Sequence, residues 1–183
     1  MFARSLALGV AAIAFASSSA FAADLIIPTA PQPIMESAGF FWDGLYAGVQ
    51  GGGQFYPNIS YGLVGVHVGA NFTVAAPVLV GVEGTAEWIF NNNNASFGEF
   101  FANGRLGAVV TDSVLVYALV GTGVEVNNAG NTFGTYQLGG GVEFAVTDAV
   151  SIRGQLVGVG FYNDGNTNFF DGSKATVGVS YHF

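Results

Sequence analysis

The chain has 183 residues, no cysteine, a formal net charge of −8, and 9% charged against 51% hydrophobic residues. Disulfides, thiol catalysis and cysteine-bound metals are therefore excluded, and four basic residues in all leave no basic footprint for nucleic acid. Beyond the first 22 residues no apolar run reaches the ~18 residues of a spanning helix, yet the charged fraction falls far below the ~25% of a soluble domain. A transmembrane β-barrel, in which only alternate residues meet lipid, satisfies both facts.

Arg4, then the apolar run Leu6 to Ala16, then Ala20-Phe21-Ala22 form the pattern of a secretory signal with a small-x-small cleavage site, so residues 1–22 are expected to be removed. Pro28, Pro31 and Pro33 make residues 23–41 an extended lead-in that cannot pair in a sheet, expected to lie in the periplasm. Residues 42–183 form the barrel domain.

Eight strands of period two follow. The first, about 44–54, turns Leu45, Ala47 and Val49 outward and Tyr46, Gly48 and Gln50 inward. The second, about 60–74, alternates Val64, Val66, Val68, Ala70, Phe72 and Val74 with Gly65, His67, Gly69, Asn71 and Thr73. After the turn Ala75-Ala76-Pro77, the third, about 78–90, sets Val78, Val80, Val82, Ala86, Trp88 and Phe90 against Gly81, Glu83, Thr85 and Glu87. Asn91 to Asn94 read as a loop. The fourth, about 100–110, points Leu106, Ala108 and Val110 outward and Asn103 and Arg105 inward. Thr111-Asp112-Ser113 turns into the fifth, about 114–126, with its valines outward and Tyr117, Gly121 and Glu125 inward. The sixth, about 133–145, alternates Tyr136, Leu138, Val142 and Phe144 with Gln137, Gly139, Gly141 and Glu143. Thr147-Asp148-Ala149 leads to the seventh, about 150–162, with Ile152 and Leu156 outward and Arg153 and Gln155 inward. Loop 163–172 precedes the eighth, where Ala175, Val177, Val179, Tyr181 and Phe183 alternate with Lys174, Thr176, Gly178, Ser180 and His182.

With each register set from the apolar residues alone, Glu83, Glu87, Arg105, Glu125, Glu143, Arg153 and Lys174 all fall on the opposite face. A basic residue facing lipid at the bilayer midplane costs ~2–4 kcal/mol. The polar face is therefore the lumen, which also argues against a soluble ligand-carrying barrel. Connections after strands two, four and six are short. Those after strands one, three, five and seven are expected to be longer and to lie outside the cell, with both termini in the periplasm. Trp42, Phe144, Tyr181 and Phe183 are expected in a periplasmic aromatic girdle, and Trp88, Phe90, Phe100, Tyr136 and Phe161 in an outer one. The loop aromatics Phe55, Tyr56, Phe97, Phe101, Phe133, Phe169 and Phe170 extend the outer girdle or form a binding patch.

The run Phe41-Trp42-Asp43-Gly44-Leu45-Tyr46-Ala47-Gly48 resembles the Trp-x-Gly-aromatic-Tyr-x-Gly opening of the small outer-membrane β-barrels of alphaproteobacteria. Gly140-Gly141-Val142-Glu143-Phe144 before a Thr-Asp turn is similar, as is the closing Gly178-Val179-Ser180-Tyr181-His182-Phe183. The resemblance implies an all-β, eight-stranded, antiparallel up-and-down transmembrane barrel akin to the OmpA transmembrane domain. It also implies that Val177, Val179, Tyr181 and Phe183 act as the C-terminal signal for the barrel-insertion machinery.

Ser180, His67, His182 and Glu87 all point inward and bring hydrolysis to mind, but ordinary lumen polar groups account for them. Neither an enzyme nor a cofactor is expected. The inward charges have two readings: a salt-bridged plug, favoured because eight strands enclose a lumen just wide enough for side chains, or a low-conductance, cation-preferring path. The expected product is a monomeric outer-membrane protein in contact with lipid and lipopolysaccharide. Its expected role is in envelope integrity, with a small pore and a surface binding protein or antigen as the alternatives.

Overall fold

In a computed structural model the described residues are 40–91, 96–162 and 169–183. The signal peptide and nearly all of the lead-in lie outside them, as does most of loop 163–172. Eight strands run in chain order: β1 Gly44–Tyr56, β2 Ile59–Ala75, β3 Val78–Phe90, β4 Ser96–Thr111, β5 Val114–Asn127, β6 Thr132–Ala145, β7 Val150–Phe161 and β8 Gly172–His182. Each pairs antiparallel with the next, and β1 pairs with β8 to close the barrel. Closure leaves no sheet edge, which is what a β-structure in hydrocarbon requires. We call proximal the end where β1 begins and β8 finishes, and distal the opposite end.

The alternation of apolar and polar residues becomes the two faces of the wall. Val66 on β2, Val120 on β5, Leu156 on β7 and Val177 on β8 are 55%, 60%, 69% and 63% exposed, whereas Tyr46, Asn71, Glu143 and Ser151 are 0% exposed. An apolar band around a whole molecule far exceeds the ~300–600 Å² patch of a soluble monomer. Hydrocarbon is its solvent.

Close approach between strands depends on glycine at particular points. A Cβ on Gly52 would stand 2.0 Å from the Ala175 carbonyl oxygen, and one on Gly139 would stand 2.1 Å from that of Leu156. Any other residue there must push strands apart.

Two connections depart from expectation. The one after β1 is not long: only Pro57 and Asn58 separate the strands, because Phe55 and Tyr56 go on pairing with Ser60 and Ile59. The ladder stops at Pro57, which has no N–H to offer it. β4 begins at Ser96 rather than near residue 100, so Phe97 and Phe101 are strand residues, 9% and 4% exposed and turned inward, rather than loop aromatics.

Inside, one apolar cluster runs from Trp42, Leu79 and Leu115 past Tyr117 and Leu119 to Val157 and Val159. A second, of Leu63, Ile89 and Phe97 with Tyr61 packed on it, fills the distal end. Polar and charged side chains occupy the space between.

Candidate functional site

The inward polar residues of six strands form one connected network. At its proximal end, Ser151 Oγ donates to Glu143 Oε1 at 2.5 Å, and His182 Nε2 lies 3.3 Å from the same oxygen. Glu143 Oε2 accepts from Arg105 Nη2 at 2.9 Å. Arg105 Nη1 donates to the Tyr46 hydroxyl at 2.5 Å, and that hydroxyl donates to Glu83 Oε2 at 2.9 Å. The Arg105 guanidinium also sits 3.9 Å above the Tyr117 ring, a favourable cation–π position. Glu83 Oε2 takes a second cation, Arg153 Nη1, at 2.5 Å.

Gln50 links this group to the next. Its Oε1 accepts from Arg153 Nη2, and its Nε2 donates to Glu87 Oε1 at 2.5 Å. Lys174 Nζ then pairs with Glu87 and, at 2.7 Å, with Glu99. Gln54 Nε2 closes the distal end on Glu99 Oε1 at 2.9 Å. The ion-paired Arg, Lys and Glu side chains are at most 3% exposed. Buried charges persist only when paired and hydrogen-bonded, and here each of the three cations meets at least one carboxylate.

Six of the seven expected lumen charges thus meet: Glu83, Glu87, Arg105, Glu143, Arg153 and Lys174. Glu125 does not join them. It faces inward opposite Glu99 in the β4–β5 register, but it is half-buried near the distal rim and forms no ion pair among the described residues. Glu99 takes the place expected for it. The alternation Phe97, Glu99, Phe101, Asn103, Arg105, carried back past Phe100, is the sequence signal that identifies it.

Trp42 was expected in a lipid-facing girdle, and the structure corrects this. It is 5% exposed, its ring set edge-on to Phe40 at 4.5 Å and to His182 at 5.9 Å. Position 42 shares the even, inward parity of Tyr46, Gln50 and Gln54 on β1, so the alternation itself puts Trp42 on the lumen side, and only its place near a strand end suggested a girdle. Trp88, Phe90, Phe144, Tyr181 and Phe183 do face outward. Val177, Val179, Tyr181 and Phe183 share that outer face of β8 and its end.

His67 Nε2 lies 2.8 Å from Ser180 Oγ. Glu87 is not the third member of a triad, since its oxygens serve Gln50 and Lys174. Among the described residues no group of three or more His, Asp or Glu is placed to hold a metal ion.

No protein-family model matches the chain, and no curated protein matches it. Solved structures do. Neisserial surface protein A aligns with a TM-score of 0.54 at 14% identity, over 76% of this chain and 96% of that one. The attachment invasion locus protein of Yersinia pestis gives 0.51 at 12%, over 77% and 97%. The N-terminal β-barrel domain of Pseudomonas aeruginosa OprF gives 0.50 at 13%, over 75% and 97%. At such identities the likeness is one of fold: this is a small outer-membrane-type β-barrel with a polar, salt-bridged interior.

Proposed function

We propose that this outer-membrane β-barrel is a structural component of the bacterial envelope whose lumen is closed by its own side chains. The observation that carries the reading is the unbroken chain of contacts from His182 through Glu143, Arg105, Glu83, Arg153, Gln50, Glu87 and Lys174 to Glu99. An ion crossing the lumen must part these pairs, and leaving one buried partner alone costs ~3–5 kcal/mol. Eight strands leave little room beside the side chains, and apolar clusters occupy part of what remains.

In this reading the distal end, which carries the longest connection, between β7 and β8, faces outward, and the proximal end faces the periplasm. The protein works as a monomer, meeting lipid along its wall and the insertion machinery through the outward face of β8. It holds no cofactor and does no catalysis; the His67–Ser180 contact orders the lumen.

The test is the current across a planar bilayer holding the refolded chain without residues 1–22, with folding confirmed by heat-modifiable gel mobility. Silence is expected. Reproducible small steps, with a cation preference lost on Glu83→Gln or Glu87→Gln, would overturn the proposal in favour of a narrow cation path.

A further inference from the structure

The lumen charges are not evenly matched along the barrel. Toward the proximal end Glu83 and Glu143 meet Arg105 and Arg153. Toward the distal end Glu87 and Glu99 share Lys174, and Glu125 on β5 stands directly opposite Glu99 on β4. Among the described residues, three acids there meet one cation, which leaves two negative charges unmatched. Like charges directly opposite across a strand pair are destabilising. Burial sharpens the conflict at Glu99, which is 1% exposed, while half-buried Glu125 opens the place to the mouth.

An independent feature points to the same place. Gln54 is 0% exposed, and its Oε1 has no hydrogen-bond partner among the described residues. Turning the amide over gives no relief. Its Nε2 donates to Glu99 Oε1 at 2.9 Å and to the Tyr56 hydroxyl at 2.8 Å, so a flipped amide would set a carbonyl oxygen against a carboxylate. A buried carbonyl left in this way calls for a water or an ion. The amide holds Oε1 beside the Glu99 carboxylate, and neighbouring Tyr56 is within electrostatic reach of both Glu99 and Glu125. Lys174 approaches Glu99 through the other oxygen, Oε2.

We propose that Gln54 Oε1 and the carboxylates of Glu99 and Glu125 bind one hard divalent cation, calcium in kind, at the distal mouth of the lumen. Every donor is an oxygen, which suits calcium or magnesium rather than a metal that takes nitrogen or sulfur. The donors stand on three strands, β1, β4 and β5, and other contacts already hold Gln54 and Glu99. Calcium accepts such irregular geometry and completes its shell with water from the mouth, whereas magnesium demands a near-ideal octahedron. The ion neutralises the two unmatched charges and takes no part in catalysis. The site stands whether or not the lumen conducts.

The refolded chain without residues 1–22, in a non-ionic detergent that offers no lipid phosphate, is titrated with terbium(III). This calcium substitute luminesces when a nearby tyrosine is excited, and Tyr56 is that tyrosine. Saturation at one ion per barrel is expected, with displacement by calcium chloride but not by sodium chloride of equal ionic strength. Glu125→Gln removes one ligand charge and breaks no ion pair among the described residues, so it should fold and weaken binding by about tenfold or more. Gln54→Met removes the carbonyl and should weaken binding as well. Asp148→Asn neutralises an exposed acid in the proximal turn between β6 and β7 and should change nothing. Absence of a saturable signal, a signal that calcium does not displace, undiminished affinity in folded Glu125→Gln, or an equal loss in Asp148→Asn would overturn the inference.

Discussion

Replacing Lys174 by Met tests the network at a point where one cation serves two acids. The Lys174 ammonium holds Glu87 and Glu99, and the three side chains are 1%, 3% and 2% exposed. Water does not screen them, so the small value of a surface ion pair, ~0–1 kcal/mol, does not apply. Removing one partner of a buried pair costs ~3–5 kcal/mol, and here two carboxylates lose it together. Contact with the Phe101 ring, 4.7 Å from Nζ, is lost as well. Lys174→Met should therefore lower stability by ~4 kcal/mol, toward the middle of that range because Gln50 and Gln54 still donate to the two acids.

The assay is urea unfolding of the barrel in lipid vesicles, followed by Trp fluorescence and gel mobility, with the midpoint converted through the slope. The diagnostic partner is the triple variant Lys174→Met, Glu87→Gln, Glu99→Gln. A buried ionic group replaced by neutral groups of similar size is often close to neutral in stability, so the triple variant should recover most of the loss. A loss below ~1 kcal/mol in the single variant, or a triple variant no more stable than the single, would refute the view that these charges depend on one another.

Two further outcomes follow from the wall. Val66→Arg places a cation on the lipid face near the middle of β2 and should cost ~2–4 kcal/mol, read as a drop in the fraction folding into vesicles; folding equal to that of Val66→Leu would contradict the facing of the strand. Gly52→Ala should destabilise by ~1–3 kcal/mol through overpacking against the Ala175 carbonyl. Gly154→Ala, whose Cβ would meet nothing within 4 Å, should be neutral or stabilise by up to ~1 kcal/mol; urea midpoints that fail to separate the two would refute the packing argument.

Strand number and facing were legible because one penalty governs every position: a charge on the lipid side is costly, so Glu83, Arg105 and Arg153 mark the lumen wherever alternation is clean. Glu99 was missed for a local reason. The stretch Ser96-Phe97-Gly98 mixes an apolar ring, a glycine and a hydroxyl, which blurs the strand start. Trp42 misled in another way. An aromatic residue near a strand end is what a girdle supplies, but Trp42 lies on the inward parity of Tyr46 and Gln50, and the ring turns in toward Phe40 and His182. The connection after β1 looked long because Phe55 and Tyr56 were counted as loop, whereas pairing with Ser60 and Ile59 holds them in the sheet.

The amino-acid order by itself determined that this chain is a closed, outer-membrane-type barrel with a polar interior, since period two and the cost of charge in lipid are read residue by residue along one strand. Only the tertiary structure decided which charge meets which. Glu83 is 70 positions from Arg153 and Glu87 is 87 from Lys174. Those partners are chosen by the stagger of strands around the closed wall, where the pleat fixes a side chain's face but closure fixes its neighbour across the lumen.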